Sequence, residues 1–338
     1  MKLRSFGLSS LRSFLVGILI ALLTTACISH TAHSPNPQSA KPPADECRMM
    51  QHAMGETCIP LNPQRLVIID SQALSYALAL NVKPIAVFAR KDSFDISYIK
   101  NRLKGVEAIP TINREPNLEK ILLLNPDLII GWSRDISQKN YKLLSQISST
   151  ILIPTIKTSS GSYDWKQEFI QAATMLNKVE IANQLIDEYR HRAEELKQKM
   201  NHQHGELNAS YLQVYDGYLL FLSSKDSFSG EILSDVGFQF PPVPLSNTLS
   251  QNSLPISDEL PISEEALPEL DSDVLFIGTE RDNESILKKF QQKPLWSQMR
   301  AVQKNQVYIV SEGAWRGYNI LAANVVLDDI EKYLINMP

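Results

Sequence analysis

Five apolar segments of this 338-residue chain end in similar company. DLIIGW (127–132) delivers Trp132 and then Arg134, and KPIAVF (83–88) is followed by Ala89 and Arg90. SYLQVY (210–215) leads to Asp216, Gly217 and Tyr218, and DVLFIG (273–278) to Thr279, Glu280 and Arg281. QVYIV (306–310) leads to Trp315, Arg316 and Tyr318. If these segments are strands of open α/β sheets, their carboxyl ends are where a ligand binds. Arginine presents fixed donors to carboxylate-like oxygens and stays charged when partly desolvated. Tryptophan and tyrosine add flat apolar walls with a polar tip. The combination describes a cleft for a partly apolar, anionic ligand, with Arg90, Trp132, Arg134, Tyr218, Arg281, Trp315 and Arg316 as its candidate lining.

Catalysis finds no comparable support. There is no GxSxG elbow, HExxH pair or GxxxxGK[ST] loop, and no GxGxxG after a strand. Of six histidines, His30 and His33 fall in a polar N-terminal stretch and His202 and His204 at the end of a helix. His52 lies between two cysteines and His191 on a polar helix face, none with an acid or base partner nearby in sequence. The expectation is a binding protein rather than an enzyme. No Cys/His cluster is placed to hold a bare metal, so any metal it carries arrives wrapped in its own ligand.

The elements that must position these residues alternate between short apolar runs and helical stretches, the pattern of α/β layers. RLVIID (65–70), KPIAVF, DLIIGW and TILIPT (150–155) are expected strands. QALSYALAL (72–80), NLEKILLL (117–124) and SQKNYKLLSQI (137–147) are expected helices, the second stopped at Asn125-Pro126. KQEFIQAATML and VEIANQLIDEYRHRAEELKQKM then form a long helical region. Ala182, Leu185, Ile186, Tyr189, Ala193, Leu196 and Met200 share one face of it. About 22 residues at 1.5 Å each span roughly 33 Å, enough to cross between two small domains. The α/β pattern then restarts with SYLQVY, YLLFLS (218–223), GEILSDVGF (230–238), ISEEALPEL (262–270), DVLFIG, ESILKKF (284–290), QVYIV and the terminal NILAANVVLDDIEKYLI. The expected architecture is two α/β lobes joined by one long α-helix. An internal echo supports it: in NLEKILLLNPDLIIG and SEEALPELDSDVLFIG, Glu119 and Glu265 each stand eight residues before the aspartate that opens a strand.

Hydrophobic residues make up 43% and charged residues 21%, enough for a proper core, and the net charge of -4 argues against nucleic-acid binding. MKLRSFGLSSLR followed by FLVGILIALL has the form of a secretory signal, too short to span a membrane as a helix. Cys27 stands where a lipoprotein signal places its lipid-modified cysteine, although Thr24 occupies the usual leucine position; simple cleavage after Ala26 is the alternative. A Pro/Ser-rich tether follows. Cys27, Cys47 and Cys58 are the only cysteines. If Cys27 anchors, Cys47 and Cys58 remain as a pair for a short disulfide hairpin in an oxidising compartment. The expected divisions are signal peptide 1–26, tether 27–46, N-terminal lobe 47–163, connecting helices 164–204 and C-terminal lobe 205–338.

The segments HAMGETCIPLNPQRLVIID, NLEKILLLNPDLIIG, SFSGEILSDVGF, ISEEALPELDSDVLFI and VYIV with WRGYNILAANVVLDDI, in this order around the connector helix, carry a family resemblance. From about Cys47 onward the chain resembles the iron-siderophore substrate-binding proteins of ABC transporters, the helical-backbone class of periplasmic binding proteins. The resemblance implies a monomer that captures a ferric siderophore between the lobes and delivers it to a membrane permease, with no cofactor and the iron held by the siderophore. It implies that Glu119 and Glu265 dock on the permease, with Glu264 as the alternative to Glu265. It matches Arg90, Trp132, Arg134, Tyr218 and Trp315 to cleft positions; Arg281 and Arg316 come from the strand-end argument. Cobalamin and haem carriers share the fold, and an extracytoplasmic hydrolase is the rival of another class. Cobalamin needs no arginine cluster, haem wants an axial ligand, and a hydrolase wants a paired base and nucleophile.

Overall fold

The computed structural model describes residues 46–111, 115–215, 220–241, 259–270, 272–279 and 284–336. The expected signal peptide, the tether up to residue 45 with Cys27, and the site candidates Tyr218 and Arg281 lie outside them. Strands β1 (Cys47–His52) and β2 (Gly55–Pro60) form an antiparallel hairpin in which Met49 pairs with Cys58. A Cys47–Cys58 disulfide closes it, with the Cα atoms 5.6 Å apart. His52 is held within the hairpin: its Nδ1 accepts from the backbone N–H groups of Met54 and Leu152, and its Nε2 lies 2.9 Å from the Thr57 hydroxyl.

The N-terminal lobe runs β3 (Leu66–Ile68), α1 (Ser71–Ala79), β4 (Ala86–Ala89), a 3-10 turn (Lys91–Phe94), α2 (Ser97–Lys100) and β5 (Glu107–Pro110). It continues with α3 (Leu118–Leu124), β6 (Leu128–Trp132), α4 (Gln138–Ile147) and β7 (Thr150–Ile153). Its five strands are parallel in the order β5-β4-β3-β6-β7. Every residue of β3, β4, β6 and β7 is buried, because helices cover both faces of a parallel sheet. Helices start where side chains accept their first free N–H groups: Asp70 for α1, Asn117 for α3 and Ser137 for α4. Asn125 ends α3 in the left-handed region that asparagine tolerates.

Helices α5 (Trp165–Met175) and α6 (Val179–His204) lead out of this lobe. The 26 residues of α6 span about 39 Å. Ala182, Ile186, Tyr189, Ala193, Leu196 and Met200 form its buried stripe, with Leu185 half-buried at the edge. The C-terminal lobe contains β8 (Ala209–Val214), β9 (Leu220–Ser223), α7 (Phe228–Asp235), β10 (Glu259–Ile262), a 3-10 helix (Glu264–Glu269) and β11 (Val274–Thr279). After these come α8 (Glu284–Gln291), α9 (Arg300–Gln303), β12 (Val307–Ser311), α10 (Glu312–Trp315) and α11 (Ile320–Ile330), which widens into a π-helical turn (Glu331–Ile335). The segment expected as a helix over 262–270 divides instead into the end of β10 and the 3-10 helix. Pro268 inside it lacks the N–H that a longer helix would need.

The strand order β10-β9-β8-β11-β12 repeats that of the first sheet, with the echo strands β6 and β11 in the same place. It departs from it in that β9 runs antiparallel to both neighbours. The echo has a physical counterpart. Asp127 accepts from the backbone N–H groups of Gln64 and Arg65, just before β3. Asp273 accepts from that of Asn208, just before β8. Each aspartate anchors the start of the adjacent central strand in its own lobe.

Besides α6, the lobes meet directly. Helix α11 packs on α1 and α2, and one apolar cluster runs from Leu74 and Tyr76 through Trp165 and Tyr189 to Trp315 and Ile320. Gln72 Nε2 donates to the Tyr318 carbonyl at 2.6 Å, and Tyr98 donates to that of Gly313 at 3.3 Å. The carboxyl ends of β3 and β4 thus face the segment that follows β12.

Candidate functional site

Asp70 builds the N-terminal wall. As the residue after β3 that caps α1, it accepts from Ala73 N–H through Oδ1 (2.7 Å) and from Trp132 N–H through Oδ2 (2.6 Å). This one carboxylate fastens the ends of β3 and β6 together and sets where Trp132 emerges. Burial raises its pKa to about 7, partly opposed by the backbone N–H groups. Trp132 is only 7% exposed, and its ring meets the edge of Tyr163 at 6.0 Å. The guanidinium of Arg134 lies 5.5 Å from the Trp132 ring and 4.5 Å from that of Tyr163. Among the described residues no carboxylate is within ion-pair distance of Arg134, whose side chain is exposed.

Tyr163 continues the site across the lobe junction, meeting the edge of Tyr318 at 5.6 Å, and Tyr318 packs on Phe228 at 5.2 Å. Tyr318 holds a left-handed backbone at φ 48°, which aims its carbonyl at Gln72 and Tyr76. The Tyr76 hydroxyl is shared between that carbonyl (3.3 Å) and Oε2 of Glu168 (3.0 Å). Glu168 is buried, accepts from Ile156 N–H, and is pushed up to about 7 by burial.

The other expected ligand residues stand differently. Arg90 ends β4 at the same sheet edge, but is ion-paired with Asp92, both side chains being more than half exposed. Arg316 is committed within its own lobe. It forks onto Glu259 at 2.6 and 3.1 Å, and its Nη1 donates to Glu312 at 3.0 Å and to the Tyr215 hydroxyl at 2.9 Å. With two carboxylates around one guanidinium, the charge of Arg316 is already met within its own lobe, unlike the free anion donor expected from the sequence. Trp315 is corrected more fully. Its ring is completely buried, 4.5 Å from Phe276 and 5.0 Å from Tyr211, with its N–H on Asp329 at 2.8 Å. It is a core residue, because the helix after β12 turns it under the sheet. Lys157, Tyr163 and Tyr318 were not among the expected ligand contacts. The rule that found Arg134 finds the first two when it is applied after β7, where TIKTSSGSYDW follows.

On the outer surface, Glu119 on α3 is exposed and has no ion pair among the described residues, while the adjacent Lys120 pairs with Glu107 at 2.9 Å. Leu122 and Leu123, one turn further along α3, are 49% and 81% exposed. Glu265 is likewise exposed. Its own backbone N–H, and then the Ser263 hydroxyl, hold its carboxyl below the usual range. Glu264 is taken up by Lys293 at 3.2 Å.

The family model described as periplasmic binding protein matches residues 73–313. A Bacillus subtilis relative, YfiY, named as a probable siderophore-binding lipoprotein, is 30% identical over 95% of this chain and 96% of its own length. The achromobactin-binding periplasmic protein of Dickeya dadantii is 28% identical over 80% of this chain and 86% of its own. Among solved structures, Staphylococcus aureus SirA complexed with staphyloferrin B superposes with a TM-score of 0.68. It shares 24% identity, covering 85% of this chain and 98% of that one. The FhuD protein from S. pseudintermedius gives 0.67 at 18% identity, over 86% and 99%. The repeated strand order, the long helix between the lobes and the match over most of the sequence lead to one conclusion: this chain belongs to the periplasmic binding protein family.

Proposed function

We propose that this protein is the extracytoplasmic binding component of an ABC importer, and that it takes a ferric siderophore between its lobes and delivers it to the permease. The observation that carries this reading is Arg134, a cation without a carboxylate partner among the described residues, resting on Trp132 and Tyr163 where the lobes meet. Such a cation on an aromatic wall suits an anionic, partly apolar chelate. The relatives named for siderophore binding support the same reading. Trp132 and Arg134 are its first ligand contacts, with Arg90 after β4 of the same sheet; Tyr218 and Arg281, outside the described residues, are further contacts proposed from the sequence. The siderophore holds the iron, and the chain supplies no catalysis.

Glu119 and Glu265 serve as docking carboxylates, since each is exposed while its acidic or basic neighbour is occupied. The name of YfiY supports a lipid anchor at Cys27. Titration of the purified mature chain with a panel of ferric siderophores, followed by tryptophan fluorescence, tests the central reading. A saturable change that Trp132→Phe diminishes and Arg134→Gln weakens is expected. Unaltered fluorescence and no heat of binding across hydroxamate, citrate-type and catecholate complexes would refute it.

A further inference from the structure

The turn after β7 is held in a fixed shape. Lys157 and Tyr163 pair across it as an antiparallel bridge. Thr158 N–H donates to the Ser162 carbonyl at 2.8 Å and Gly161 N–H to that of Thr158 at 3.0 Å. Gly161 takes φ +91°, a conformation that favours glycine. The result is a short hairpin that presents Lys157 beside the ring already occupied by Arg134. Lys157 Nζ lies 5.3 Å from the Tyr163 centroid and the Arg134 guanidinium 4.5 Å from it. Together these distances place the two charges at most about 10 Å apart, roughly one Debye length at physiological salt.

Neither cation has a carboxylate within ion-pair distance among the described residues. The contrast with the other strand-end arginines is direct, since Arg90 is paired with Asp92 and Arg316 with Glu259 and Glu312. Among the described strand-end cations, positive charge without a carboxylate partner therefore lies on the N-terminal side of the lobe junction. The facing cluster around Arg316 holds one more carboxylate than cation.

Resting on the siderophore reading above, we propose that Lys157 is a second cationic contact and makes the site select net-anionic ferric chelates over neutral ones. The anionic groups of the chelate turn toward Arg134 and Lys157. Two like charges this close repel one another in the empty site, and an anion spanning them relieves that repulsion as well as adding its own attraction. The Tyr163 ring lies against both side chains.

The test measures dissociation constants of the mature chain for ferric citrate, a ferric tris-catecholate and a neutral ferric trihydroxamate, at low and high salt. Wild type should bind an anionic chelate about tenfold or more tightly than the neutral one, with the advantage shrinking in salt. Lys157→Gln should remove most of that advantage, about tenfold, while leaving neutral binding within about twofold, as expected for one charge-assisted contact. Lys157→Arg should retain it. Lys157 is exposed, and unchanged thermal unfolding of each variant will show that folding is unaffected. Tighter binding of the neutral chelate, or equal weakening of both by Lys157→Gln, overturns the assignment and leaves the siderophore reading standing. Binding of none of the three overturns the siderophore reading and this one with it.

Discussion

Replacing Arg316 by methionine separates a structural arginine from a ligand-binding one. The substitution keeps a long apolar stem and removes the charge. Glu259 and Glu312, 8% and 7% exposed, then lose the guanidinium between them, and Tyr215 loses a donor. Removing one partner of a buried pair costs about 3–5 kcal/mol, since the remaining charge is left in a poorly solvated place. The Arg316 side chain is 33% exposed, so water screens part of the interaction and the low end, about 3 kcal/mol, is expected. At about 2 °C per kcal/mol for a chain of this size, the unfolding midpoint should fall by about 6 °C. Urea unfolding followed by circular dichroism measures the difference. Glu259→Gln in the same background should restore part of the loss, because one uncompensated carboxylate disappears. Arg134→Gln, which breaks no ion pair, should change stability by less than about 0.5 kcal/mol and lower chelate affinity instead. If Arg316→Met leaves stability within about 1 kcal/mol of wild type and costs as much affinity as Arg134→Gln, the assignment of Arg316 to the fold is wrong.

Three other expectations are open to experiment. Asp70 and Glu168 are raised by burial to about 7 from unfolded values of roughly 4. Both therefore bind protons more readily folded than unfolded. Their contribution is full below about pH 4 and is lost as pH rises through about 7, so urea midpoints should climb from pH 8 to pH 5, and less steeply in Asp70→Asn; a decline over this window contradicts the sign. Glu119→Arg with Glu265→Arg should abolish siderophore-dependent uptake in cells while dissociation constants stay within about twofold, whereas Glu264→Gln should be tolerated, because Glu264 already faces Lys293. Normal uptake by the double variant removes the docking role. A β-carbon at Gly278 would collide with the buried Tyr211 hydroxyl, so Gly278→Ala should cost about 1–3 kcal/mol in urea unfolding; an unchanged midpoint would show that the ring yields freely.

Much of the fold was legible because burial wrote it into the order of residue types. Strands covered on both faces become uninterrupted apolar runs, as in AVFA, LIIGW and TILI, and the stripe of α6 repeats at helical spacing. The strands that escaped notice lie at sheet edges. β5, EAIP, is mostly exposed, and β10 contains Pro261, which only an edge strand accommodates readily. The site was legible in half. A strand-end rule names the cations but not what stands opposite them. Glu259 is 57 residues from the Arg316 it neutralises, and Asp329, which draws the Trp315 indole into the core, lies in the following helix. Lys157 and Tyr163 escaped for a different reason: SSGS between them has the composition of a linker, whereas its backbone bonds make it a rigid turn.

The same contacts bear on how such a protein can take up its guest. A long helix between lobes resists bending, but α6 alone leaves the far side of the molecule free to open. That freedom is restricted by α11 against α1, by the Tyr318 carbonyl on Gln72 and Tyr76, and by a core cluster continuous through both lobes. Opening the junction would break the bonds from Gln72 and Tyr76 to the Tyr318 carbonyl and expose Tyr76, now fully buried. Large closure is therefore expensive, and affinity has to come from a surface already shaped for the ligand. Arg134 and Lys157 suit that requirement. Their backbone positions are fixed by β6 and by the turn after β7, while their long exposed side chains keep the freedom to settle on an arriving anion.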